Sequence, residues 1–377
     1  MTTVLPSNTT EKGLVLYMAL ELSNKQWKLG FSGGRKRRQV TIESGNLLAL
    51  IEQIGLAREK LGLLKDCRIC SCYEAGRDGF WIHRMLEAQG IENVVVDSSS
   101  IEVNRRKRRV KSDKVDVNAL LRLLQRYCGG ETEVMSVVRV PSIEEEDNRR
   151  LNRERERLLK ERGAHISRMK SLLVANGIRL EIRADFLQRL VDIEAAPGDE
   201  LGPDLKAELE REYVRYRLAA DQIRELESAQ KLRAKEGESS AMTQVNTLMM
   251  LRGVGWQSSW ILVMEFFAWR AFKNQRQVGA CAGLTPTPYS SGDSEREQGI
   301  SKAGNRRVRT LMVELSWLWL RYQPNSALSQ WFEKRFARGG KRMRRIGIVA
   351  LARKLLIALW RLVNEGIIPD GAILKAG

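Results

Sequence analysis

Histidine is nearly absent from this 377-residue chain, which has only His83 and His165. His83 lies in a short helical stretch and His165 at the core position of a heptad pattern, so no histidine-based catalytic dyad is available. Cysteine is also scarce. The five (Cys67, Cys70, Cys72, Cys128 and Cys281) are an odd number without the spacing of a disulfide framework. Cys67 and Cys70 form a CxxC, but it falls in an apolar, strand-like run and no second pair completes a zinc site. Long apolar runs are missing too. No stretch reaches the roughly 18 residues that a membrane span needs, and the first residues carry no apolar core of a secretory signal. These absences point away from a membrane partner and toward a reducing cytoplasm.

Acidic residues are in deficit: 46 Asp and Glu face 64 Lys and Arg, for a net charge of +18. An excess of that size favours a polyanionic partner, with nucleic acid ahead of an anionic membrane surface. The length suggests roughly two or three domains. The charge is most concentrated at Arg105, Arg106, Lys107, Arg108 and Arg109, which run directly into Asp113 and Asp116. A helix capped by Ser112 and continued by Val115, Leu120, Leu121 and Leu124 sets the two acids at i and i+3 on its first turn, pointing the same way. Two carboxylates aimed at one place repel unless a cation lies between them, and oxygen ligands suit a hard divalent ion. A polyanion brought by neighbouring cations to such an ion suggests phosphodiester chemistry. The alternative is a helix start whose acids are favoured by the macrodipole, beside a solvated charge run.

Upstream, residues 14–22 and 26–31 read as a β-hairpin, and 39–42 as a third strand. Helical periodicity covers 46–62, a strand 67–73, a helix 79–89 and a buried strand 94–96. This alternation predicts an α/β domain over 1–140 whose working edge lies at the carboxyl ends of the strands. Glu21 ends the first strand and Glu74 the strand over 67–73, so both are expected to meet the Asp113/Asp116 pair there. Asp97 also ends a strand, but three serines follow and it reads as a cap.

Residues 141–238 change character. Two long charged amphipathic helices, over 142–176 and 203–235, flank a break containing Pro197-Gly198 and Gly202-Pro203. They predict either an antiparallel coiled-coil arm that dimerises or a helical hairpin within one chain. Residues 239–377 read as mostly helical. Gly253 and Gly255 lie in LRGVG, which resembles the turn of a helix-hairpin-helix phosphate-binding element. The stretch 279–304 is too polar and too rich in Gly, Pro and Ser for a core element and is expected to be an unstructured functional loop. It offers Ser290, Ser291 and Ser294 as nucleophiles or as turn residues, with Lys302, Arg306, Arg307 and Arg309 downstream as phosphate clamps. Seven cations between Lys334 and Arg345, Lys341 and Arg342 among them, read as a further phosphate contact rather than a solvated face, since Glu333 is the single acid nearby.

The order Glu21, Glu74, Asp113-x-x-Asp116 resembles the acidic signature of the DEDD transposases of bacterial insertion sequences. The tail segments LRGVGWQSSW, FKNQRQVGACAGLTPTPYSSG, GISKAGNRRVRTLMVE and ALARKLLIALW resemble that family's second domain. The resemblance implies a RuvC-like, ribonuclease-H-type nuclease domain, a coiled-coil region and a mostly α transposase domain with a nucleophilic serine. Carried over by position, Glu21, Glu74, Asp113 and Asp116 would bind Mg²⁺ and Ser291 would be the nucleophile, with Ser290 one residue away as its alternative. Implied partners are donor and target DNA, an element-encoded bridge RNA, and further copies of the chain, as a homodimer and a synaptic tetramer at the bacterial nucleoid. The family's first acid is usually Asp, and Glu21 is one methylene longer. Two other functions are open: a structure-selective nuclease of the Holliday-junction type, and a non-catalytic nucleic-acid-binding relative.

Overall fold

The computed structural model describes residues 15–34, 36–101, 113–191, 200–237, 239–291 and 294–375, with side chains described for all but 99, 113–116, 288–291 and 294–298. The chain divides into two compact units, Met1–Pro141 and Ser142–Gly377.

The first unit starts with β1 (Val15–Leu22), β2 (Gln26–Ser32) and β3 (Arg37–Glu43), an antiparallel meander. Ser23 tightens the first turn, its hydroxyl donating to the Gln26 carbonyl at 2.6 Å. Helix α1 (Leu47–Leu61) is capped by Asn46, which accepts from the Ala49 N–H, and it ends at Gly62 in the left-handed conformation. It crosses over to β4 (Arg68–Glu74), and α2 (Trp81–Ala88) crosses to β5 (Glu92–Val96); both strands run parallel to the strand beside them, as helical crossovers allow. The sheet order is β3-β2-β1-β4-β5. Helix α3 (Asp113–Cys128) follows.

Side-chain alternation splits this sheet into two faces. Leu16, Met18 and Leu20 pack with Trp27, Phe31, Tyr73 and the inner faces of α1 and α2. Ala19, Cys72 and Val96 pack on the opposite face with Val117, Leu120, Leu121 and Leu124 of α3. Each of those fully buried leucines stabilises the unit by ~1.5–3 kcal/mol. Gly30 on β2 lets α3 approach closely: a Cβ there would meet Val117 and lie 2.8 Å from Leu121 Cδ1. Cys67, Cys70 and Cys72 are free and buried, and burial pushes the Cys72 thiol up. The run therefore serves as core, as its strand-like sequence implied.

The second unit begins with α4 (Ile143–Asp147) and α5 (Arg150–Ala175), followed by α6 (Phe186–Val191) and α7 (Pro203–Glu236). Helices α5 and α7 lie antiparallel against each other within the chain. Leu158 meets Ile223 near one end, His165 meets Glu212, and Met169 and Leu173 share a cluster with Leu209 near the other. The pair is thus a hairpin inside one chain. Pro197-Gly198 lies outside the described residues, and Pro203 occupies the first turn of α7, where its missing N–H costs nothing.

The remaining elements are α8 (Ser240–Met249), α9 (Trp256–Leu262), a π turn over Val263–Phe267, α10 (Gln275–Cys281), β6 (Pro286–Ser291), β7 (Ser294–Ile300), α11 (Arg306–Tyr322), α12 (Ala327–Phe336) and α13 (Lys341–Glu365). Trp260, Phe266, Trp319, Leu355 and Leu359 centre their core. One expectation is corrected here. The stretch 279–304 is not an unstructured loop, because β6 and β7 pair as an antiparallel hairpin. Its strand sequences, PTPYSS and SEREQGI, lack the apolar alternation that betrays a strand, so only the backbone ladder reveals it.

Candidate active site and nucleic-acid surface

In the first unit, Leu20 of β1 stands opposite Tyr73 of β4 in parallel register, so Glu21 and Glu74 follow as neighbours at the carboxyl ends of adjacent strands. Both share the parity of Ala19 and Cys72, which face α3. Glu21 is half-buried and Glu74 exposed. Lys28 on β2 lies directly across from Glu21 and has the same parity. Helix α3 reaches the level of Ala19 and Gly30 at Val117. Asp113, four residues earlier, is displaced by ~6 Å along the helix, about two residues of strand. The α3 backbone thus begins over the edge where Glu21 and Glu74 end. Glu21 and Glu74 at such an edge are oxygen donors of the kind a hard divalent cation takes. Among the described side chains no three His, Cys, Asp or Glu cluster as ligands; those of Asp113 and Asp116 are not in that set. Asp97 opens a 3₁₀ turn, its carbonyl accepting from the Ser100 N–H at 3.0 Å.

In the second unit, Ser291 stands opposite Ser294 and Ser290 opposite Glu295, so Ser291 is the last residue of β6 before the connection. The hairpin base is tied at several points. Ser301 N–H donates to the Thr285 carbonyl, Lys302 N–H to Gly283 and Asn305 N–H to Cys281. Gly283 adopts φ +67°, and Gly304 adopts φ +109° with the Cys281 carbonyl where a Cβ would stand. Lys302, at φ +56°, is the one non-glycine residue with positive φ among those described; such strain persists only where the surroundings enforce it.

Two residues that sequence reading missed hold this base. Asn305 caps α11 by accepting from the Val308 N–H, and its side-chain amide donates to the Glu265 carbonyl at 3.2 Å. The Glu265 carboxylate, 1% exposed, receives two hydrogen bonds from Arg153 of α5, at 2.9 and 3.0 Å. Glu265 lies in the π turn, a distortion frequent at functional sites. An acid inside an apolar run (WILVMEFF) was the available signal.

The basic residues divide by role. Arg309 donates to the Ala282 carbonyl at 3.1 Å and braces the turn after α10. Arg307 is ion-paired with Glu156. Lys302 and Arg306 are exposed and form no ion pair among the described residues. The turn between α8 and α9 uses Gly253 at φ +85° for close packing, since a Cβ there would lie 2.9 Å from Tyr322 Cβ. Its carbonyls are engaged by Gln323, which donates to Arg252 O at 2.8 Å, and by Lys375, which donates to Val254 O at 2.9 Å. Gly255 precedes α9 as its N-cap. Lys334, Arg335, Arg338, Lys341, Arg342, Arg344 and Arg345 are all exposed, and among the described residues none enters an ion pair. The 105–109 cations and Ser112 lie outside the described residues.

An acid-edged mixed sheet in one unit and, in the other, exposed cations outside the ion pairs of the described residues are features suited to handling a polyanion. Residues 245–330 match the model of the Transposase IS116/IS110/IS902 family. Over 377 aligned residues, covering 96% of this chain and 94% of the relative, the chain is 40% identical to a Sinorhizobium fredii protein named "Putative transposase y4rJ". It is 30% identical to the transposase for insertion sequence element IS1111A of Coxiella burnetii, over 68% of this chain and 67% of that one. The transposase for insertion sequence element IS1328 of Yersinia enterocolitica is 27% identical over 57% of this chain and 62% of its own. The chain belongs to the IS116/IS110/IS902 family of insertion-sequence transposases. The segment matched by the family model holds the α8–α9 turn and the serine hairpin.

Proposed function

We propose that this transposase is a bridge-RNA-guided recombinase that cuts and rejoins DNA through a covalent link to Ser291. The observation that carries the reading is that Glu21 and Glu74 directly follow the registered pair Leu20 and Tyr73 at the ends of adjacent parallel strands, on the face covered by the helix that begins at Asp113. Such an edge on a five-stranded mixed sheet supports a RuvC-like domain. Glu21, Glu74, Asp113 and Asp116 would hold Mg²⁺, which when bound neutralises and polarises a backbone phosphate. The Ser291 hydroxyl oxygen forms a bond to phosphorus and gives up its proton, while one phosphorus–oxygen bond to the sugar breaks and that sugar oxygen leaves as a hydroxyl. A hydroxyl from the partner strand then attacks the serine ester and releases the serine. No bond energy is lost between the two steps, so no nucleotide cofactor is consumed. Lys302 and Arg306 neutralise charge developing on the phosphate. The net charge of +18 supports simultaneous engagement of DNA and RNA. A synaptic tetramer belongs to the same reading.

The decisive experiment is denaturing electrophoresis of the protein incubated with DNA and the RNA that co-purifies with it. The wild-type chain is expected to give a covalent protein–DNA adduct. Ser291→Ala should give none while still binding both nucleic acids, and EDTA should abolish the adduct in the wild type. Metal-dependent cleavage without any adduct would instead indicate a structure-selective nuclease, in which the acids activate water.

A further inference from the structure

The seven exposed cations lie on the last turn of α12, the four-residue connection 337–340 and the first five residues of α13. We propose that this surface docks double-stranded DNA, with the tip of α13 entering the major groove. Helix α13 is exposed on every side from Lys341 to Ile346, and burial begins at Gly347. That leaves a free tip ~9 Å long and, with side chains, ~10–12 Å across. The major groove of B-form DNA is about 12 Å wide and 8.5 Å deep, so the tip fits both dimensions.

Charge placement agrees. Four of the first five residues of α13 are cations, the first turn has no acid, and Gly340 supplies no side-chain cap. Cations at the positive end of a helix dipole work against the helix itself, which fits a surface built for an anion outside the chain. The helix pair is rigid where it must be. Gly347 lies against Phe332 and Phe336, with no room for a Cβ (2.5 Å to Phe336 Cγ), and a Gly-Gly-containing connection of this length joins helices in duplex-reading motifs.

Duplex DNA is favoured over other nucleic acids by what the surface carries. The major groove of A-form RNA is deep and narrow and closed to side chains. Single strands are held mainly by stacking on aromatic platforms, but Trp331 beside the patch is occupied by Lys354, whose Nζ lies 4.8 Å from the ring centroid. The large exposed apolar side chains among the cations are instead Met343 and Ile346, at 44% and 46% exposure. Apolar groups there suit thymine methyls on the major-groove edge. This docking is independent of the serine chemistry, so failure of the adduct experiment and failure here are separate results.

The test measures binding of the full chain by fluorescence anisotropy to a mixed-sequence 20-base-pair DNA duplex, the matching RNA duplex and a DNA single strand. Arg342→Ala/Arg345→Ala should weaken DNA-duplex binding at least tenfold and lower the slope of log affinity against log salt by about 1.8. RNA-duplex and single-strand binding should change less than twofold, and Arg342→Lys/Arg345→Lys should keep the wild-type salt slope. Uracil in place of thymine should weaken the wild type but not Met343→Ala/Ile346→Ala. Unchanged duplex affinity, an equal loss on all three probes, a larger loss on RNA, or indifference to the thymine methyl would each overturn the proposal. Thermal unfolding of each variant confirms that the exposed substitutions leave the fold intact.

Discussion

Glu212 shows what a single side chain does here. It is 3% exposed on α7, and it faces His165 at 2.6 Å and Arg168 at 3.6 Å from α5, and Arg215 at 2.8 Å from its own helix. Burial alone would raise its carboxyl, but the hydrogen bond from His165 and the charge of Arg168, with lesser help from Arg215, hold it below the ordinary carboxylate range. A depressed folded-state value contributes stability above the unfolded value of about 4.3, and that contribution is lost as pH falls through the folded value. Glu212→Gln should therefore lower unfolding free energy at pH 7 by about 2 kcal/mol. It should also flatten the loss of stability below pH ~4, as read from urea melts at several pH values. His165 was legible as structural from its heptad position. Its buried partner was not, because Glu212 carries no mark in a helix full of acids and only antiparallel docking of α5 on α7 selects it.

At the scale of elements, the proposed acidic site depends on how α3 lies on the sheet. Gly30 is the contact that lets it approach, and any side chain there collides with Val117 and Leu121. Gly30→Ala is expected to cost about 1–3 kcal/mol through overpacking, measured by chemical denaturation. Because the same shift displaces the start of α3 from the β1–β4 edge, transposition measured at a permissive temperature, where the variant stays folded, should fall as well. The sheet itself was readable: apolar alternation and helical periodicity gave β1 to β5, α1, α2 and α3 in order. The serine hairpin was not, since the sequences of β6 and β7 carry no apolar alternation and their pairing is a backbone property. The Arg153–Glu265–Asn305 chain behind it was equally hidden, because its members are more than a hundred and forty positions of sequence apart from end to end, Arg153 to Asn305, and meet only through folding.

At the scale of the whole molecule, charge governs association. With +18 overall, binding to any nucleic acid releases condensed counterions. A contact set of 6–10 phosphates predicts that affinity falls by about 10³–10⁵ between 50 and 200 mM salt. A titration across that range by filter binding checks it, and a flat response would remove the electrostatic reading of the basic surfaces. Among the described residues no helix is long and apolar enough to cross a membrane.

The sequence alone determined the α/β alternation, the acids at strand ends, the excess of positive charge and the resemblance to insertion-sequence transposases, because these follow from local periodicity, composition and motif order. Tertiary structure decided that Glu21 and Glu74 are neighbours in register, that the long helices pair within the chain, that the serines sit on a β-hairpin, and which of the described cations enter ion pairs or brace carbonyls. Those facts depend on contacts between residues distant in the chain, and a backbone ladder or a buried ion pair leaves no periodic trace in either partner's own stretch of sequence.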